Sequence, residues 1–285
     1  MNNTHVFGGE WTRTKLEALR KYLAAYTTAL KNQNFRLLYI DAFAGTGFCD
    51  INGAAGEGEQ IKGSATLALE IVPTFDKFFF VDLKKTHTAA LRGLKASHPE
   101  KNIEVIRSDA NAALTAICRQ IDRNRERAVI FIDPYGMDVE WKTLQAVAAT
   151  RATDLWYLFP LSGLYRNAAK SAEALDEGKT RAITRILGTD VWRTEFYRPN
   201  PQASLFGETE GDVRDATPQA MLDFVSGRLK TIFPHVSAPT ILYLDGSSRT
   251  PRGAPLFALY FAVANPSPQA RGIAANIANH ILGKL

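Results

Sequence analysis

The sequence predicts an α/β protein built around a mostly parallel sheet, and two observations carry that expectation. Four apolar runs in its first half each end in an aspartate: Leu37 to Asp41, Phe78 to Asp82, Ile103 to Asp109 and Ala128 to Asp133. Short runs of β-branched and aromatic residues bounded by polar ones read as buried strands. The segments between them have helical spacing, so consecutive strands should run parallel. In such a sheet, ligands sit in the crevice beyond the carboxyl ends of the strands. A single aspartate there is an ordinary turn or cap residue. Four in succession predict a ligand-binding crevice lined with carboxylates.

The elements follow in order. Thr14 with Glu17 forms a capping box, and Leu16, Leu19, Leu23, Tyr26 and Leu30 recur at helical spacing. An amphipathic helix over residues 15–31 is expected, within an N-terminal segment 1–35. The first strand covers Arg36 to Ala42, and a loop rich in Gly, Glu and Ala then runs from Phe43 to Gly63. A helix from Ser64 to Ile71 leads to the second strand, Lys77 to Val81. The Thr86–Ala96 helix, the Ile103–Arg107 strand and the Asn111–Asp122 helix come next. The fourth strand ends at Asp133. Val139–Thr150 is a helix amphipathic through Trp141, Leu144 and Val147, and Asp154 to Leu161 is a fifth strand.

Helices are also expected at 167–187 and at 218–233, the latter with Thr217 as cap and Pro218 at its first position. Arg198 to Asp215, rich in Pro, Gly and acidic residues, reads as an exposed loop. Thr240–Leu244 and Pro255–Ala264 complete seven strands. Residues 166–238 far exceed the roughly 2–6 residues usual on either side of a crossover helix. They should form a mainly helical insertion between strands 5 and 6 that leaves the sheet as a cap beside the strand ends. All 285 residues are read as one domain.

Composition restricts the function classes. With 46% hydrophobic and 22% charged residues the chain is an ordinary folded protein. The apolar stretch Leu155–Phe159 is far too short to span a bilayer, and no secretory signal is visible. Cys49 and Cys118 give neither a disulfide framework nor a metal-ligand pair, so a reducing cytoplasm and no metal are expected. A net charge of +5 mildly favours an anionic partner. Arg119, Arg123, Arg125 and Arg127 read as a solvated helix face, with a nucleic-acid surface as the alternative.

Three motifs carry chemistry. Asp41-Ala42-Phe43-Ala44-Gly45-Thr46-Gly47 joins a strand to a glycine turn whose exposed N–H groups suit a carboxylate or phosphate. A dinucleotide fingerprint needs a third glycine where Asp50 stands, which disfavours a nicotinamide oxidoreductase. Gly58 to Ser64 echoes a phosphate-binding loop, but Lys62 precedes its glycine instead of following it, so a nucleoside triphosphatase is rejected. Asp82 is placed to chelate ribose hydroxyls, or to cap the following helix. Asp109 could meet an adenine amino group, or cap its own helix.

Asp133-Pro134-Tyr135-Gly136 is the sharpest. The proline removes a donor and turns the preceding carboxylate and carbonyl into the crevice. Together those oxygens can accept both hydrogens of an exocyclic amino group, freeing its lone pair to attack an electrophilic methyl. Tyr135 could stack on the base. The competing reading is a tight turn of common turn residues.

Taken together, these residues resemble class I S-adenosylmethionine-dependent methyltransferases, and more narrowly the three-Cys-motif partner family of bacterial proteins. The matching pieces are Trp11-Thr12 to Lys15 with Tyr22-Leu23, Tyr39 to Gly45, Gly63-Ser64 with Ala68-Leu69, Phe131 to Gly136 with Trp141, and Asp154 to Pro160. The resemblance covers the first 165 residues well and the remainder poorly. It implies a Rossmann-like sheet of seven strands, the last antiparallel. It also implies S-adenosylmethionine as cofactor, held by Asp41, Phe43, Gly45, Gly47, Asp82, Leu83, Asp109 and Ala110. The acceptor would be oriented by Asp133 and Pro134 and stacked on Tyr135. Beside the resemblance, Lys15 on the opening helix and Arg166 after the fifth strand are basic groups that could reach substrate phosphate, with a solvated side chain as the commoner reading of each.

The expected function is methylation of an amino nitrogen, of an RNA or DNA base. Amino-methyltransferases usually carry Asp/Asn-Pro-Pro-Tyr/Phe. Here the second proline is absent and the aromatic residue stands one place earlier. That departure supports a rival, a cofactor-binding partner of a three-Cys-motif protein that transfers no methyl.

Overall fold

The computed structural model describes residues 9–52, 58–200, 211–243 and 254–284. Its centre is a sheet of β1 (Arg36–Asp41), β4 (Lys77–Asp82), β5 (Ile103–Arg107), β6 (Glu126–Ile132), β7 (Thr153–Phe159), β10 (His235–Val236), β11 (Thr240–Tyr243) and β12 (Pro255–Val263). The strand order is β10-β12-β7-β6-β1-β4-β5, with β11 also against β12. Strands β5, β4, β1, β6 and β7 are mutually parallel, and β12 runs antiparallel to β7. β10 and β11 occupy successive stretches of one β12 edge with a one-residue slip in register between them. They form one interrupted strand, giving seven strand positions. This is the expected Rossmann-like methyltransferase fold with its last strand antiparallel.

Alternation along the strands builds two cores. Leu38, Ile40, Phe79, Val81, Ile130, Ile132, Tyr157 and Tyr260 face one side. There they meet α4 (Ala110–Gln120), α5 (Trp141–Ala149), α6 (Leu161–Asn167), α7 (Glu177–Leu187), α8 (Trp192–Phe196) and α9 (Pro218–Lys230). Tyr39, Phe78, Phe80, Phe131, Trp156 and Phe261 face the other side. These pack under α1 (Glu10–Leu30), α2 (Ser64–Leu69), α3 (Lys85–Ala96) and α10 (Pro268–Leu282). Both faces of a parallel sheet must be covered, which explains why its strands read as continuous apolar runs.

Several expectations are corrected. The first helix starts at Glu10 with Gly9 as N-cap, so Thr14 lies inside it and no capping box forms. Glu17 instead pairs with Arg20 and Lys21, the exposed neighbours three and four residues on. The glycine-rich loop contains a hairpin of β2 (Phe48–Asn52) and β3 (Gly58–Lys62).

The single helix expected at 167–187 is broken. α6 ends at Asn167, and α7 begins afresh at Glu177 with the Asp176 carboxylate capping Lys179 N–H. Thr217 caps α9 as read, accepting from Ala220 N–H. Within the expected 198–215 loop, β8 (Tyr197–Pro199) pairs with β9 (Asp212–Arg214), while 201–210 lie outside the described residues. The 166–238 segment does not stand off the sheet: Ile183, Trp192, Phe196, Met221 and Leu229 join the core beneath it. The Ser226 and Tyr260 hydroxyls lie 3.0 Å apart, tying α9 to β12. Among the described residues no helix is long and apolar enough to cross a membrane.

Candidate functional site

Register places three aspartates together. Asp41, the last residue of β1, is level with Phe131 of β6 and Phe80 of β4. Asp133 and Asp82 lie two residues further along those neighbouring chains, roughly 7 Å beyond at the usual rise per residue. A two-residue step keeps side chains on the same face. All three carboxylates therefore face the side covered by α1, α2 and α3, with Asp41 as the floor between two longer walls.

Asp41 is fully buried. The Phe43 N–H and the Tyr39 hydroxyl each stand 3.4 Å from its carboxylate. Burial pushes its pKa up to about 7; the Ser64 hydroxyl opposes that rise and the charge of Asp133 reinforces it. Asp82, also buried, is already engaged. It accepts from Gly45 N–H at 3.1 Å and Lys84 N–H at 2.8 Å, and His87 Nδ1 lies 3.0 Å away. A carboxylate has about four lone-pair sites, so these contacts leave one acceptor position. Asp82 thus anchors the glycine turn as well as facing the crevice.

That turn is pinned from below. Gly45 and Gly47 have φ of 61° and 86°, a conformation glycine adopts without strain. The Gly47 carbonyl accepts from Thr66 Oγ1 at 2.6 Å and from Gly63 N–H at 2.8 Å, fixing the turn to the start of α2. A Cβ on Gly45 would stand 4.0 Å from the Tyr135 hydroxyl, so the turn and Tyr135 face each other.

Asp133 follows β6 and is partly exposed, Pro134 behind it is buried, and Tyr135 is 52% exposed. Asp133 Oδ2 accepts from Lys15 Nζ. Lys15 is neither solvated nor on an outer surface: it is 5% exposed, with its ammonium 4.6 Å from the Trp11 ring centre. The Lys84 ammonium lies 4.9 Å from the Tyr135 ring centre. Burial, aided by the charges of Asp82 and Asp133, pushes the Tyr135 hydroxyl up to about 12, so it is a neutral donor at physiological pH. Phe48, Leu83 and Tyr135 are the exposed apolar residues immediately after the Gly47 turn and the Asp82 and Asp133 strand ends.

Asp109, Ala110 and Arg166 make no hydrogen bond to these three carboxylates among the described residues. Asp109 is exposed and caps α4 through Ala112 N–H at 3.0 Å. With Asn111 it lines a groove of about 1160 Å³ between α4 and α5. Ala110 is the first residue of α4, and Phe43 packs on the core. Asn111 is consumed in joining α4 to the carbonyl of Asp138, the N–H of Glu140 and the hydroxyl of Thr143. Arg166 is exposed in the last turn of α6, and among the described residues no hydrogen bond or ion pair links it to the crevice.

Sequence reasoning missed His87 and Lys84. Their only signal was position, in and just before the first turn of the helix after a strand-end acid. Trp11 and Lys15 did carry one, because residues four apart share a helix face.

No family model matches the chain, and no curated protein does. Among solved structures it is similar to a Legionella pneumophila protein at 12% identity and a TM-score of 0.52, covering 97% of this chain and 94% of that one. At that identity the likeness is one of fold. A protein from Thermobifida fusca, assigned provisionally as a methyltransferase, gives a TM-score of 0.43 at 11% identity, with 89% and 80% of the two chains covered. The plantazolicin methyltransferase BpumL in complex with SAH gives 0.34 at 10% identity, with 88% and 85% covered. Neither of these two scores is high enough to add to what the sheet shows. Strand order and register make this a Rossmann-like methyltransferase fold, with three carboxylates gathered at the carboxyl ends of its central strands.

Proposed function

We propose that the protein is an S-adenosylmethionine-dependent methyltransferase acting on an amino nitrogen, that of a nucleic acid base. The observation that carries the reading is Asp133: a carboxylate at the crevice, beyond β6, backed by buried Pro134 and followed by exposed Tyr135.

The donor set suits the cofactor. The carboxylate of Asp41 matches an ammonium and the acceptor position left on Asp82 a ribose hydroxyl, while the open side of Gly45 leaves room for close approach. Leu83, two-thirds exposed beside Asp82, offers an apolar surface for a planar ring. S-adenosylmethionine supplies an electrophilic methyl group and leaves as the neutral thioether. The chain's own part is orientation. Asp133 accepts a hydrogen from the acceptor amine, and that bond strengthens as the nitrogen gains positive charge, which lowers the barrier. Tyr135 stacks on the base, and the nitrogen's proton leaves to water.

The motif resemblance supports membership of the three-Cys-motif partner family, with a three-Cys-motif protein as partner and the cytoplasm as setting. A second reading, a non-catalytic cofactor-binding partner, is favoured by one observation: Lys15 already occupies one oxygen of Asp133.

Tritiated-methyl donor incubated with total cellular RNA, DNA and protein separates the two. Label should enter a nucleic acid pool with the wild type and vanish with Asp133→Ala, while donor affinity, read from thermal stabilisation, stays within a few-fold. Equal label with Asp133→Ala removes Asp133 from the chemistry. Tight donor binding with no label in any pool favours the non-catalytic partner.

A further inference from the structure

The N-terminal helix contributes to the crevice in a way that solubility or packing does not explain. A lysine is almost never fully buried unless paired, and Lys15 is 5% exposed with its ammonium on Asp133 Oδ2. The contact spans 118 residues of sequence, so it is a property of the assembled fold. One turn earlier on the same helix face, Thr12 buries its Oγ1 with no partner among the described residues. Such an orphan is expected where a ligand or water completes the hydrogen bonding. Asp133 Oδ1 carries no hydrogen bond among the described residues, whereas Oδ2 carries the lysine. The carboxylate is thus divided: one oxygen clamped from the protein side, the other available to the crevice.

We propose that Lys15 is a positioning residue that clamps Asp133 Oδ2, so that Oδ1 meets the acceptor amine in a fixed direction. This rests on the methyltransferase reading above and deepens it. An unclamped carboxylate beside the charge of Asp41 would rotate and take up water. A buried ammonium prevents both, because a carboxylate oxygen that keeps a charge-assisted bond is held in place and shielded from solvent on that side. The Trp11 ring face, 4.6 Å from the ammonium, completes the socket by holding Lys15 itself without competing for the carboxylate.

The test uses the full-length protein and whichever nucleic acid pool the wild type labels. Lys15→Ala should lower kcat about 10²-fold, as expected for a reacting group misplaced by an ångström, with donor affinity changed less than threefold. Propylammonium added to Lys15→Ala should restore much of kcat, because it returns a charge to the vacated socket. Propanol at equal concentration should not, which separates lost charge from lost packing. Should Lys15→Ala prove unstable, Lys15→Met keeps the bulk without the charge and should show the same fall in kcat.

Unchanged kcat in a folded Lys15→Met overturns the proposal while leaving the methyltransferase reading intact. A loss confined to donor affinity also overturns it, since Lys15 would then hold the donor. Wild-type protein that binds the donor and labels nothing overturns the methyltransferase reading, and this proposal with it.

Discussion

Asp154 lies near the amino end of β7, far from the crevice, and is 7% exposed. Its carboxylate accepts the Tyr22 hydroxyl at 2.6 Å. Burial pushes its pKa from 3.8 to about 7, opposed by the Tyr22 hydrogen bond and by the charge of Arg127. In the unfolded chain the same group titrates near its ordinary value. Between those two pH values the folded state holds a proton that the unfolded state has lost, so stability falls as pH rises. The stabilisation is complete below about pH 4 and gone above about pH 7, and the gap corresponds to about 4 kcal/mol.

Asp154→Asn removes the titration and keeps an amide oxygen for Tyr22. The variant should match the wild type near pH 4 and exceed it by up to about 4 kcal/mol at pH 8. For a chain of this size that is roughly 7 °C in melting temperature. Urea unfolding of both proteins at four pH values reads the difference directly. Asp41, likewise raised to about 7, adds a similar slope to both proteins and cancels in the comparison. A stability difference that stays flat from pH 4 to 8 would refute the assignment of Asp154 as a buried, proton-holding carboxylate.

Two further substitutions test the scaffold of the site. Asp82→Ala removes the acceptor for Gly45 N–H, Lys84 N–H and His87. It should cost about 1–3 kcal/mol of stability and weaken donor binding, and calorimetry with and without donor checks both; an unchanged melting temperature would make Asp82 a ligand contact only. Gly188 ends α7 with φ of 65°, and a Cβ there would overlap Cγ and Cδ1 of Trp141 on α5. Gly188→Ala should therefore cost about 3 kcal/mol or more through strain and overpacking. A loss below 1 kcal/mol in urea unfolding would show that Trp141 moves aside freely.

The sheet was legible because its strands are buried on both faces. Phe78-Phe79-Phe80-Val81 and Val129-Ile130-Phe131-Ile132 can be little else when helical segments separate them. The same logic located Asp41, Asp82 and Asp133, since a parallel strand buried throughout ends where a polar residue meets the crevice. The hairpin was not legible: its alternating stretch, Cys49 to Asn52, is only four residues long, and Gly58, Glu59 and Gln60 open the partner strand without an apolar residue. The last helix escaped for the opposite reason. Ala274, Ala275 and Ala278 bury little area, so its amphipathic signal is weak although it packs on α1.

Thr14 and Glu17 misled because a capping box is a local pattern. Trp11 and Thr12, packed inward, extend the helix past it. The clamp on Asp133 was invisible for the reverse reason, being made by residues that only the complete fold brings together.

The interrupted strand at the far edge of the sheet affects how this protein can meet other chains. An edge strand offers a row of unpaired N–H and C=O groups, which invites strand addition and aggregation. Here Pro239, which lacks an N–H, falls in the break between β10 and β11, and a second irregularity follows at Leu242/Tyr243. Both devices deny an incoming strand a continuous ladder. At the opposite edge β5 is only five residues long and carries exposed Glu104 and Arg107, charges that discourage pairing in the same way. Among the described residues neither edge presents a long uncharged ladder, so the sheet can keep its apolar strands without offering them as a template for fibres.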